Sequence, residues 1–384
     1  MDDFMIMTQE KVLLKIDKQI DELVKKIELL NYINPLNIEK QRKKFFKSNF
    51  TIEPKFKYPK VDFDTFELQR SLFAIEINDI EDEVVRKLYE DIIYEYSGLI
   101  ECIDTIGQGK KFYYNSLRSF GTPTEKDVEN AKFILHFKDE EVENEKATFD
   151  VYKTEEQFRK YSERYDFTYS IKHSDKLSAI AMVLNNDQTL VLNSEHLFTQ
   201  NDIDILTNHE IGVHMVTTMN GLLNPLKIFS HGFPNNTETQ EGLAVFAEYM
   251  SDSLNMRRLK RIAYRVLAVD SLAKGYSFSE TFRMLRNYGM KKKDAFSISV
   301  RVHRGGGFTK DYLYLTGLQK IYAYYKSGKE LTPLLTGKVT LEYLNEIKYL
   351  IENSYANESK HITDSYAKND NSKETLTYIL DNFK

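Results

Sequence analysis

The chain has 384 residues, 41% hydrophobic and 13% aromatic, with 25 Tyr, 24 Phe and no Trp. That is enough apolar material for a sizeable core and excludes a disordered, fully solvated polymer. Its 53 basic and 58 acidic side chains leave a net charge of −5 and are mixed along the sequence, so no basic stripe points to nucleic acid or an anionic membrane surface as a partner. The single cysteine, Cys102, excludes an internal disulfide framework and any Cys-rich zinc or iron–sulfur site. His and carboxylates are left as possible metal ligands, and the usage suits a reducing cytoplasm. The opening Met1-Asp2-Asp3-Phe4 carries acids where a signal peptide carries basic residues, and no apolar run of about 18 residues occurs. A cytoplasmic protein without a membrane span is expected.

Leu13, Ile16, Ile20, Leu23, Ile27 and Leu30 recur at alternating steps of three and four, which predicts one helix with an apolar seam ending before Asn34-Pro35. Three heptads at most favour docking within the chain over a coiled coil. The basic, aromatic stretch from Lys40 to Asp64, broken by Pro54 and Pro59, reads as an extended connector. Asp79 to Ile106 reads as a helix followed by a Gly107-Gln108-Gly109 break, and Thr122 or Thr124 can open the next helix. The apolar runs 179–184 and 189–192 flank Asn185-Asn186-Asp187-Gln188 and predict a hairpin. Helix then dominates to a polar segment, Ser354 to Lys373, expected as partial disorder or a mobile loop before a last short helix. The expected organisation is an amino-terminal helix and connector over 1–64, a main domain over 65–353 and a tail over 354–384. The fold class is α+β, mainly helical, with a small sheet beside the helix that follows the hairpin.

After the hairpin, Thr199-Gln200-Asn201-Asp202 caps a helix containing His209-Glu210-Ile211-Gly212-Val213-His214. A His-Glu pair with a second His on the same helix is how zinc hydrolases place two imidazoles on the metal and a carboxylate beside its water. Here the spacing is one residue longer than a regular helix allows: five residues turn about 500° and leave the histidines roughly 140° apart. A π-bulge would restore a common face, and Gly212 lies where that distortion is least costly. Two unrelated helix histidines are the alternative.

In the next helix Thr237-Glu238-Thr239-Gln240 reads as a cap leading to Glu241-Gly242-Leu243-Ala244, with Glu248 on the same face as Glu241. Glu241 is either a helix-dipole partner or a third ligand. Gly242 permits close approach of the first helix. Glu248 reads as the acceptor for a ligand histidine's free N–H, or as a buried partner for an Arg. A third cluster, Arg301-Val302-His303-Arg304-Gly305-Gly306-Gly307-Phe308-Thr309-Lys310-Asp311-Tyr312, combines mobile glycines with cations suited to an anionic group such as a carboxylate. It lacks the features of a phosphate loop. The alternative is an exposed basic loop.

Taken in order, these motifs with Gln240-Glu241-Gly242-Leu243-Ala244 and Phe120-Gly121-Thr122-Pro123 resemble the bacterial QEGLA-motif proteins, labelled flavohaemoglobin expression-modulating, over roughly residues 70 to 350. That family is similar to the eukaryotic microtubule-associated tyrosine carboxypeptidases, which remove a carboxy-terminal tyrosine from tubulin. The resemblance implies a zincin-like HExxxH metallopeptidase with His209, His214 and Glu241 on Zn²⁺ and Glu210 as general base. His303 or Tyr312 could then supply an oxyanion donor, and Arg301, Arg304 or Lys310 could hold a substrate's terminal carboxylate. The substrate expected is a peptide or protein C-terminus, with exo- or endo-cleavage and oligomeric state left open. The alternatives are a metal-dependent amidohydrolase acting on a non-peptide, and a non-enzymatic binding protein with a structural or absent metal.

Overall fold

A computed structural model of the chain describes residues 9–138, 146–175, 179–184, 188–366 and 373–384. It is mainly helical, with one three-stranded sheet. The opening residues 1–4, the hairpin turn 185–187 and residues 367–372 of the tail lie outside the described residues. No helix among the described residues is long and apolar enough to cross a membrane.

The amino-terminal helix Gln9–Val24 buries Leu13, Ile16, Ile20 and Val24 in the same core as Phe246 and Val302. Asp17, 2% exposed, anchors it: the carboxylate accepts from the Lys227 and Ile228 backbone N–H groups and from the Tyr89 hydroxyl. The apolar seam does not continue as one helix to Leu30. The Ile27 N–H closes a tight turn on the Val24 carbonyl, and Leu29–Ile33 restarts as a separate short helix. Burial of Ile27, Leu29 and Ile33 on a new surface outweighs helical continuity.

The expected connector also begins differently, because Ile38–Lys47 is a helix. Its Gln41 and Phe45, one turn apart, face inward while the lysines face out, and Phe45 packs at zero exposure against Phe278, Phe282 and Phe296. Extended chain follows over 51–64. The helix Glu83–Asp104 is capped by Asp82, and Thr124 opens Glu125–His136 with a reciprocal capping box to Asp127.

The sheet has the order β1-β3-β2, with β1 (Ser170–Ser174) parallel and β2 (Ala181–Leu184) antiparallel to the central β3 (Thr189–Asn193). The register pairs Ala181 with Leu192 and Leu184 with Thr189, leaving β2 as an edge. The sheet covers a small second core that includes Phe158, Leu190 and Phe198. Between the two cores lies the histidine helix: Val213 packs into the large one, Ile211 and Met215 into the small one.

The polar tail, expected to be loose, is packed as far as Tyr366. Ala356, His361, Thr363 and Ser365 are buried, and Asn220 exchanges hydrogen bonds with both backbone groups of His361. Side-chain amides on the histidine helix supply the partners that an irregular buried backbone requires. This strap crosses the back of the helix, where the Ser365 hydroxyl donates to Asn208.

Candidate functional site

Thr199 and Asp202 form a capping box that starts the histidine helix at Gln200. The chain runs as α-helix over Gln200–Leu206, as π-helix over Thr207–Met215 and as α-helix again over Val216–Leu223. The π form absorbs the extra residue, so that the His209 and His214 rings face one another with centroids 5.0 Å apart. Gly212 has a second reason to be glycine: a Cβ there would lie 2.5 Å from the Ser365 hydroxyl oxygen of the strap.

The following helix is Asn236–Met250 and starts one residue before Thr237; its N-cap is Asn235, whose backbone is left-handed (φ 56°) and whose side chain makes no cap bond. The expected Thr237 cap is therefore absent. Glu241 falls in the second turn, where the amino-terminal dipole is weak, so the dipole reading loses its basis. Gly242 is also placed differently from the sequence expectation. It faces Gly317 in the helix Leu313–Lys326, and a Cβ on Gly242 would lie 2.4 Å from the Gly317 carbonyl carbon.

Glu241 points its carboxylate between the two histidines. Its Oε2 lies 3.6 Å from His209 Nε2 and 3.7 Å from His214 Nε2, beyond hydrogen-bond reach, and is buried without a hydrogen-bond partner among the described residues. One ligand atom from each of the three residues falls within 4.8 Å of the others. An orphaned buried carboxylate oxygen facing two imidazole nitrogens is a donor set suited to a tetrahedral Zn²⁺ with one position open.

Surrounding groups orient the three. His209 Nδ1 donates to Glu248 Oε1 at 2.7 Å, which leaves Nε2 as the nitrogen facing the centre. Glu248, fully buried, also receives Arg258 through Nε at 3.0 Å and Nη2 at 2.8 Å, so it serves both partners. Burial pushes the Glu248 carboxyl up, but Arg258 and His209 outweigh it and bring it down to about 2. Burial pushes His209 down, yet the Glu241 and Glu248 carboxylates hold it up at about 9. Burial lowers His214. Glu241 is driven well below the usual range, Lys310 and the histidines overcoming its burial. The centre is thus electrostatically prepared for positive charge.

His209, Glu210, His214 and Glu241 open into a cavity of about 320 Å³, whose walls include β2 and, unexpectedly, Glu28 and Asn34 of the amino-terminal segment. Glu210 is half-buried there. The third cluster divides. Lys310 donates to Glu241 Oε1 at 3.1 Å. Arg301 makes a two-point pair with buried Asp311. Arg304 donates to Asn34, lies over the Phe308 ring at 5.0 Å and keeps an Nε with no hydrogen-bond partner among the described residues. All three line the cavity and none is an exposed loop cation.

His303 and Tyr312 are not at the cavity. His303 Nε2 shares a 2.8 Å hydrogen bond with the Thr281 hydroxyl, and burial lowers its pKa to about 4. The Tyr312 hydroxyl donates to the Phe120 carbonyl at 2.7 Å. His303, the last residue of the helix Lys292–His303, faces the helix Phe278–Asn287, where Thr281 and the Phe278 ring receive it, while Tyr312 is held against Phe120. The three glycines are packed, not mobile: Gly305 and Gly306 have positive φ and lie so close to Phe112 and to the Gly109 backbone that no Cβ fits. Sequence reasoning missed Tyr314 and Lys338, which do line the cavity, because neither carries a motif. Arg258 was anticipated only as an unnamed arginine, since it sits in an ordinary-looking basic helix, Met256–Ala273.

The chain is similar to known proteins over most of its length. The chain is 24% identical over 339 residues to the mouse putative tyrosine carboxypeptidase MATCAP2, covering 85% of this chain and 57% of that protein. It is 25% identical over 344 residues to human microtubule-associated tyrosine carboxypeptidase 1, covering 83% of this chain and 61% of that one. The chain therefore spans about three-fifths of the length of these relatives. The family model for the microtubule-associated tyrosine carboxypeptidases matches residues 43–384, nearly the whole of the described structure, and the chain belongs to that family.

Proposed function

We propose that this protein is a zinc-dependent carboxypeptidase of zincin-like plan, with His209, His214 and Glu241 as metal ligands and Glu210 as general base. The observation that carries the reading is the buried, unpartnered Glu241 oxygen facing two imidazoles brought together by a π-helix. Zn²⁺ held there would supply Lewis acidity to a water and to the scissile carbonyl. Glu210, beside His209 on the same cavity wall, takes the proton of the attacking water and delivers it to the leaving amine. Glu248 fixes the His209 ring, and Lys310 holds the Glu241 carboxylate from its other oxygen.

Exo-cleavage is supported by the cavity's cations. Arg301 is engaged by Asp311 and Lys310 by Glu241, whereas Arg304, which also lines the cavity, bonds the neutral Asn34 and has no carboxylate salt-bridge partner among the described residues, which leaves its charge for a substrate's terminal carboxylate. The edge of β2 offers backbone groups to an extended peptide. The family name directs the choice of substrate to peptides ending in tyrosine. The test compares Glu210→Gln with wild type for zinc content and for release of tyrosine from such peptides. Retained zinc with release reduced by at least 10²-fold is expected. Wild-type release rates in the variant would remove Glu210 as the base, and a wild-type chain that takes up no zinc would overturn the metal reading.

A further inference from the structure

A π-segment has a cost that an α-helix lacks. Where a five-residue hydrogen-bond step returns to a four-residue step, the ladder of N–H donors steps over one carbonyl. Here the Val216 N–H is shared between the Ile211 carbonyl, five residues back, and the Val213 carbonyl, three back, so that Gly212 is stepped over, and α-helix resumes at Val216. The three successive carbonyls at that return each lie within reach of a side-chain donor, although the single Thr217 hydroxyl proton also has Gln240 Oε1 at 2.8 Å. Gly212 O lies 3.4 Å from Thr363 Oγ1 of the strap, and Val213 O lies 2.9 Å from Thr217 Oγ1. His214 O receives Thr218 Oγ1 at 2.7 Å and Lys338 Nζ at 2.8 Å.

Lys338 stands out among these. It is 4% exposed, far in chain from the helix it touches, and its ammonium also lies 3.0 Å from Thr217 Oγ1. Burying an ammonium costs several kcal/mol in order of magnitude unless its donors are satisfied, and the partners of this one include the backbone of a proposed ligand.

We propose that Lys338 is a positioning residue: by bonding the His214 carbonyl it fixes the backbone of this ligand where the π-segment ends, with the ring turned toward His209 and Glu241. This rests on the metal reading above. Without the bond, that backbone loses a tertiary anchor and the His214 ring drifts from the centre. The sign of the effect is diagnostic, because removing a cation from beside a dication should by electrostatics alone tighten metal binding or leave it unchanged.

The experiment measures Zn²⁺ affinity by chelator competition on the full chain for wild type, Lys338→Met and Thr218→Val, with far-UV circular dichroism of each metal-free protein. Lys338→Met is expected to bind zinc about 10- to 100-fold more weakly with an unchanged spectrum, as for other groups that orient a metal ligand. In a His214→Ala background it should change affinity no further, whereas a general loss of stability would persist there. Affinity equal to or tighter than wild type overturns the positioning role. Should Lys338→Met fail to fold, Thr218→Val decides by the same comparison, with several-fold weakening expected and unchanged affinity refuting. A wild-type chain that binds no zinc removes the metal reading and this inference together, while tight binding by wild type and both variants removes this inference alone.

Discussion

Replacing Gly242 by alanine places a methyl carbon 2.4 Å from the Gly317 carbonyl carbon and 2.5 Å from its oxygen. Ordinary carbon contacts lie at about 3.5–4.0 Å, so the helices Asn236–Met250 and Leu313–Lys326 must separate by about 1 Å. The obstruction is backbone on both sides, since a Cβ on Gly317 would in turn lie 2.1 Å from the Glu238 carbonyl oxygen. No rotamer change relieves it. Overpacking of this kind costs about 1–3 kcal/mol, and we expect the upper end, because nearly every side chain of the first helix is buried. With a urea dependence of about 3 kcal/mol per molar, the unfolding midpoint should fall by about 1 M. The adjacent Glu241 would shift with its helix, so zinc affinity should fall as well. A Gly242→Ala protein with the wild-type midpoint would refute the claim that the two helices are in backbone contact.

Two further predictions concern the third cluster. Burial raises the Asp311 carboxyl, but Arg301 and Arg265 outweigh it and hold it far below the usual carboxylate range. A depressed folded-state pKa means that its contribution to stability is complete above an unfolded pKa of about 4 and is lost as the pH falls below that. The urea midpoint of the wild type should therefore drop between about pH 5 and pH 3, and Asp311→Asn should show a lower midpoint at neutral pH with a shallower acid dependence. Identical acid slopes would exclude Asp311 as a contributor. Tyr312→Phe should lose about 1 kcal/mol with its bond to the Phe120 carbonyl and keep its peptidase rate; a large fall in rate at unchanged stability would return Tyr312 to the oxyanion site.

The one-dimensional pattern determined those features that depend on a few neighbouring residues. The Thr124 and Thr199 capping boxes, the pairing of 181–184 with 189–193 and the helix of Glu83–Asp104 follow from local hydrogen bonding and apolar period. So does the condition on the histidines: residues five apart share a helix face only through a π-turn, whatever else the chain does. Glu241 and Glu248 fall on one face for the same kind of reason.

What the pattern could not contain is which face meets which. Gly242 was legible as a site of close approach, but that Gly317 and not the histidine helix fills it is a fact of packing between residues 75 apart. Phe45 turned a basic connector into a helix because an aromatic pocket from residues 278–296 was there to receive it. β1, polar in sequence, is a strand because β3 offers it a parallel partner. The cations of 301–312 look alike in sequence, and only their tertiary neighbours separate Lys310 on Glu241 and Arg301 on Asp311 from His303, turned away onto Thr281. Lys338 and Glu28 reach the cavity from distant segments without any motif. Local geometry constrains a helix's own faces through covalent and hydrogen-bond periodicity; the pairing of charges and the filling of space are settled by long-range burial, which no short window of residues encodes.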